Sequence, residues 1–374
     1  MPQSNTTVNA PPIFAWSECD PADAPPNEYL VEGLIPRHGS HLILSPPKAG
    51  KSQLAAHLVA CLISGRPVFG HYAVKIDEEL RILWILTEEN RFKVRERIEA
   101  NLRGMGMSEA AISGMAPRFE ERVIISARVR DPSRDLADTI FSVEQHAEWL
   151  LDVVRSGDFG IVILDSLRPA HGLDENSSTA MQPVTDLLRE LSEYGCGNFL
   201  HHTGHSYEGS SRVGGDAGRG TSDLDAARDT AIHIRKGTFG GSLLIGFHHR
   251  DDAERFVAVR TFADRDAGVL QWEFVSESED PQAASYLVQS ADLLAAIDAA
   301  PVPEKLPSKS DAKKYFGDSY REHLFSMEQD GIIEGREFAT GRPGANPTLL
   351  MRPGQFTDDE WAEAEKRARE AKRA

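Results

Sequence analysis

The run Ser45-Pro46-Pro47-Lys48-Ala49-Gly50-Lys51-Ser52-Gln53 is the first place in the chain where residue types and spacing could do chemistry. Its end matches the phosphate-binding pattern G-x-x-x-x-G-K-[ST], in which backbone N–H groups cradle phosphates, the lysine reaches the terminal ones and the hydroxyl ligates Mg2+. Ser45 stands where that pattern has its first glycine. The run alone therefore does not separate a nucleotide site from a GKS at the head of an ordinary helix. Asp165 closes the aliphatic run "GIVILD", which would deliver a carboxylate to the C-terminal edge of a parallel sheet, within reach of a phosphate-bound Mg2+. Glu88-Glu89-Asn90 follow "RILWILT", where a carboxylate can align an attacking water. His201 and His202 close "GNFLHH", placed to sense a terminal phosphate; a metal site at His201, His202 and His205 lacks an accompanying cysteine or carboxylate.

These residues need strands to carry them. Short β-branched or aliphatic runs occur at 41–45, 81–87, 122–127, 160–166 and 197–203, several of them separated by long amphipathic stretches. That alternation predicts an α/β fold with a mostly parallel sheet. A helix at 180–194 is marked by Met181, Val184, Leu187, Leu188 and Leu191, and one after Lys51 turns Leu54, Leu58, Cys61 and Leu62 inward. Beyond Arg235, alternating runs at 242–249, 255–262 and 268–275 predict an antiparallel extension.

The chain of 374 residues has room for two domains, and 40% hydrophobic with 26% charged residues is the balance of a folded globular protein. A net charge of -17 excludes an all-over basic surface, so contact with nucleic acid would need a local patch or a lined channel. Cys19, Cys61 and Cys196 lie far apart without C-x-x-C spacing, which fits a reducing compartment, and neither a secretion signal nor a membrane span is read. The expected location is cytoplasmic.

Taken in order, "YLVEGLIPRHGSHLILSPPKAGKS", "LWILTEEN", "IVILDSLRPAHGLDENSSTAM", "GNFLHHTGH" and "GRGTSDLDAARD" resemble the RecA-like P-loop ATPases of the plasmid RepA type, the hexameric replicative helicases and their relatives. The similarity covers residues 29–274 or so. Loops of that family can carry serine before proline at the first position, so the resemblance implies a working ATP site at 45–53. It further implies that Lys51 and Ser52 bind phosphate and Mg2+, that Glu88 is the catalytic carboxylate with Glu89 as competitor, that Asp165 is the metal carboxylate, and that His202 is the phosphate sensor. An arginine from the next subunit completes such sites. Arg228 is nearest the family's position, about one residue closer to the Arg-Gly-[Thr/Ser]-Ser motif than the pattern has it, and Arg219 and Arg235 are the other candidates. The glycine-rich stretch 209–220 corresponds to the region facing the central channel, with Arg212 as its phosphate-contacting charge. The activity implied is that of a homo-hexameric motor, a DNA helicase in replication of a plasmid, phage or other mobile element. Its implied partners are single-stranded DNA in the channel and other replication proteins. Two rival readings of the same core are an ATPase that loads or remodels replication proteins and an ATP-dependent DNA-binding regulator.

The expected organisation is a proline-rich arm at 1–28, the ATPase domain at 29–278, a C-terminal winged-helix module at 286–356 and a charged helical tail at 357–374. The module reading rests on helical patterns at 290–300, 309–317 and 318–331 before a hairpin, with Leu293, Leu294, Ile297, Leu324 and Met327 as core. Basic and acidic residues nearly balance between Lys305 and Arg352. In a duplex-binding mode, Ser319, Tyr320 and Arg321 would lead a helix into the major groove while Arg336 and Arg342 reach phosphates.

Overall fold

A computed structural model describes residues 28–127, 140–175, 177–202, 224, 227–237, 242–250, 253–340 and 346–371; of residues 196–202, 281–285 and 288 it describes the backbone alone. All but the last residue of the arm expected at 1–28 therefore lies outside the described residues, as do His205, Arg212, Arg219 and Arg342.

A small antiparallel pair, β1 (Tyr29–Val31) and β2 (Ile35–Pro36), leads into β3 (Gly39–Ser45) and helix α1 (Lys51–Ser64). Then come β4 (Arg81–Leu86), α2 (Arg91–Gly104), α3 (Glu109–Arg122) and β5 (Val123–Ala127). The chain continues through α4 (Val143–Gly157), β6 (Phe159–Asp165), α5 (Ser178–Ser192) and β7 (Cys196–His202). Strands β8 (Thr230–Lys236), β9 (Ser242–His249), β10 (Arg255–Asp264) and β11 (Val269–Ser278) complete one nine-stranded sheet in the order β11-β10-β9-β8-β3-β7-β6-β4-β5.

From β8 to β5 the strands run parallel; β9, β10 and β11 add to β8 as an antiparallel extension. The mixed α/β sheet thus has the architecture expected from the alternating pattern. β8 itself carries no obvious hydrophobic run, because Thr230, His233 and Arg235 interrupt it. Its residues from Thr230 to Ile234 are nevertheless all buried, as a strand in mid-sheet requires.

Alternation along the strands divides the core into two layers. Ile43, Trp84, Ile161 and Ile163 point toward α1 and α2, while Leu42, Leu44, Leu83, Ile85, Val162 and Leu164 pack with α4 and α5. Helix α5 buries Met181, Val184, Leu187, Leu188 and Leu191, the stripe its spacing predicts. Helix α1 is instead buried almost all round, from Leu54 through Ile63, because α2 and α3 close over the face away from the sheet.

The C-terminal segment consists of α6 (Pro281–Asp298), α7 (Lys313–Phe316), α8 (Tyr320–Gln329), the antiparallel pair β12 (Glu334–Glu337) and β13 (Thr348–Met351), and α9 (Asp358–Glu370). Helix α6 starts nine residues before the predicted 290 because Pro281 opens it directly after β11, and it packs on β9, β10 and β11. Leu293, Leu294, Ile297, Leu324 and Met327 share a core with Phe316 and Trp361. Among the described residues no helix is long and apolar enough to cross a membrane.

Candidate active site

The loop between β3 and α1 is shaped by two left-handed residues, Lys48 (φ 60°) and Gly50 (φ 108°). A Cβ at Gly50 would meet nothing within 4 Å, so glycine is required there for its backbone angle, and the space it fronts is open. Gly50 is the N-cap of α1 and no side chain caps the helix. First-turn N–H groups have no intrahelical acceptor, and with the positive end of the helix dipole they suit an anion. Pro46 is half-buried, Pro47 and Lys48 are exposed, Ala49 is buried, and the buried Gln53 Oε1 has no hydrogen-bond partner among the described residues.

Ser45, at the end of β3, is fully buried and holds the lysine. Lys51 Nζ donates to Ser45 Oγ at 3.1 Å and to the Ser45 carbonyl at 3.3 Å. Burial lowers the Lys51 amine to about 8, against the opposing pull of Asp165 and Glu88. Ser52 Oγ, in the first turn of α1, donates to Asp165 Oδ1 at 3.2 Å, although β6 and the strand that leads into α1, β3, are separated by β7. Asp165 is 6% exposed, and its Oδ2 has no hydrogen-bond partner among the described residues. Burial raises its carboxyl to about 6; Glu89 adds to that rise, while the Ser52 hydrogen bond, Arg97 and Lys51 counter it.

The two glutamates after β4 have different surroundings. Glu88 is exposed and accepts a bond from Ser166 Oγ at 3.2 Å. Glu89 is held by Arg97 of α2 through both guanidinium nitrogens, Nη2 at 2.7 Å and Nη1 in a closer contact. Thr87 fastens β4 to β6: its N–H donates to the Asp165 carbonyl (2.9 Å), and its hydroxyl accepts from Ser166 N (2.8 Å) and donates to the Ser166 carbonyl (2.9 Å). Glu88 and Asp165 thus share one rigid edge.

His202 ends β7 in register with Ser45, and His201 with Leu44, which puts the backbone of the expected sensor beside the loop. Arg228 lies elsewhere. Strand β8 runs parallel to β3, with His41 opposite Thr230 and Leu44 opposite His233, so Arg228 precedes the strand at the edge opposite the loop. The length of β3 places it roughly 20 Å away at 3.3 Å per residue. Arg235, near the far end of β8, is on the loop's own edge. Sequence reasoning missed Thr87, Ser166 and Arg97. The hydroxyls carry no motif, and Arg97 joins Glu89 only through the phase of α2.

An all-oxygen pair with one buried carboxylate oxygen left open fits a hard cation, so Ser52 and Asp165 are the residues that would hold Mg2+. Bound there, the ion would offset charge on ATP phosphates. No curated protein matches the chain. A family model described as AAA domain matches residues 5–208, a span that includes the loop, Glu88, Asp165 and β7. The chain belongs to this AAA domain family of P-loop ATPases.

Proposed function

We propose that the chain is an ATP-hydrolysing motor with a RecA-like core that assembles head to tail into a homo-hexameric ring and acts as a DNA helicase in replication of a plasmid, phage or other mobile element, in the cytoplasm. The observation that carries this reading is the separation of Lys51, Ser52, Glu88 and Asp165 at one sheet edge from Arg228 at the other. A head-to-tail contact brings the arginine of one subunit to the loop of the next, and repetition of that contact gives a ring where its rotation closes. In each site Lys51 leaves Ser45 for the terminal phosphates, and Glu88 aligns water for attack. His202 reads the phosphate, and Arg228 of the neighbouring subunit neutralises charge as it develops.

A second reading is favoured by one feature of the C-terminal segment, which we assign as a winged helix. Lys309, Lys313, Lys314 and Arg336 pair with Glu328, Asp318, Asp311 and Asp358, at 2.7, 2.7, 2.6 and 2.8 Å. These exposed pairs balance the charge of that surface, a weak electrostatic footprint for a phosphate backbone, so this module suits docking of a replication protein, as in a loader or remodeller.

The test is steady-state ATP hydrolysis with and without single-stranded DNA, alongside the mass of the assembly, with Lys51→Ala and Glu88→Gln as controls. Stimulation by DNA in a hexamer, lost in both variants, supports the motor. Hydrolysis indifferent to DNA moves the assignment to the loader, and a monomer in every nucleotide state overturns the ring.

A further inference from the structure

We propose that Arg97 is a positioning residue that ties Glu89 down and leaves Glu88 as the one of these two adjacent glutamates free to face ATP. The proposal deepens the ATPase reading and rests on it. Two adjacent glutamates follow β4, and an extended chain end offers nothing to make one catalytic and the other idle. Arg97 makes that distinction by geometry. Its fork holds both oxygens of Glu89, a bidentate arrangement that fixes direction as well as charge. The Arg97 side chain is 17% exposed and Glu89 37% exposed, so the pair is partly shielded from water and salt.

The arginine is itself held in place. Asn101 Nδ2 donates to the Arg97 carbonyl at 2.8 Å, and Asn101 Oδ1 accepts from Trp272 Nε1 at 2.8 Å and from His57 at 3.0 Å. These bonds tie the turn of α2 bearing Arg97 to α1, which carries Lys51, and to β11. Glu89 without its arginine would be a loose negative charge beside Asp165 and the phosphates. Released, it would compete with Glu88 for the attacking water and repel ATP.

The experiment compares the full-length wild type with Arg97→Gln, Arg97→Lys, Glu89→Gln and the double variant Glu89→Gln/Arg97→Gln, measuring kcat, KM for ATP and thermal unfolding. Arg97→Gln is expected to lose 10- to 100-fold in kcat/KM. Arg97→Lys, a point charge without the fork, falls between it and wild type. The double variant is expected to recover to within about threefold of Glu89→Gln, since removing the released charge removes the need for its partner. A merely structural role in α2 predicts no such rescue, so a double variant as poor as Arg97→Gln overturns the proposal. So does an Arg97→Gln enzyme as active as wild type. A wild-type chain inert toward ATP overturns the ATPase reading, and this assignment with it.

Discussion

Lys51 Nζ rests 3.1 Å from Ser45 Oγ, the side chain that occupies the position where phosphate loops usually have glycine. The serine is thus compatible with the loop's shape and supplies a buried polar partner for an amine that would otherwise be costly to desolvate. Replacement of Ser45 by Gly restores the usual pattern and removes that partner. The expected result is a loss of about 1 kcal/mol in unfolding free energy, the worth of one hydrogen bond, with ATP hydrolysis kept within about threefold. Urea unfolding and a steady-state assay on the same preparations check it; a tenfold loss of hydrolysis would show that the hydroxyl has a part in turnover.

Asp165 gives the fold a pH dependence of definite sign. Its folded carboxyl is raised to about 6 by burial, above the unfolded value near 3.8. The stabilising contribution of its protonated form is full below pH 3.8 and is lost as pH rises through 6. At pH 7 and without Mg2+, Asp165→Asn should therefore stabilise the protein by on the order of 2–3 kcal/mol, while at pH 3.5 the two forms should differ little. The same variant should lose ATP hydrolysis. Chemical unfolding in a chelator at both pH values is the measurement, and a stabilisation equal at the two would refute the ionisation account.

Lys51 and Ser52, which open α1 after β3, and Glu88 and Asp165, which follow or close the apolar strands β4 and β6, were legible because each combines a chemical type with a place beside an apolar strand, and burial forces those strands into one sheet. Other features were hidden for physical reasons. Strand β8 sits in mid-sheet with Thr230 and His233 buried, the latter against the His248 ring, so its composition looks polar although it is a core strand. The pairing of Arg97 with Glu89, which gives the two glutamates different surroundings, is a contact across a helix turn and a strand end that no spacing rule encodes. The Ser166 and Thr87 bonds arise from the pairing of β4 with β6, which the sequence order of these strands does not reveal.

Arg228 and the phosphate loop occupy opposite edges of the sheet, so no motion within one subunit short of unfolding joins them. If Arg228 acts, it acts on another copy. Lys51→Ala and Arg228→Ala chains should each be nearly inactive alone. Mixed at equal amounts they should regain a measurable fraction of hydrolysis, because some interfaces receive an intact loop from one subunit and an intact arginine from the next. Mixing must be verified by mass. Mixed assemblies with no recovery would redirect the search to Arg219, since Arg235 lies on the loop's own edge.

Asn101 links the two helices of the site through a fully buried set of donors. Phe69 N–H donates to His57 Nε2 at 2.9 Å, which leaves the ring proton on Nδ1 and makes that atom a donor to Asn101 Oδ1; Trp272 Nε1 donates to the same oxygen. Burial keeps the imidazole neutral, lowering it to about 3. Removing the Asn101 side chain strands both donors without an acceptor, at about 1–3 kcal/mol each. Asn101→Ala is thus expected to lose about 3 kcal/mol of stability. Trp272→Phe removes one of the stranded donors, so its cost should be smaller in the Asn101→Ala background than in wild type, with a coupling near 1 kcal/mol. Additive costs across the double-mutant cycle would mean that the oxygen is shared in geometry without being shared in energy.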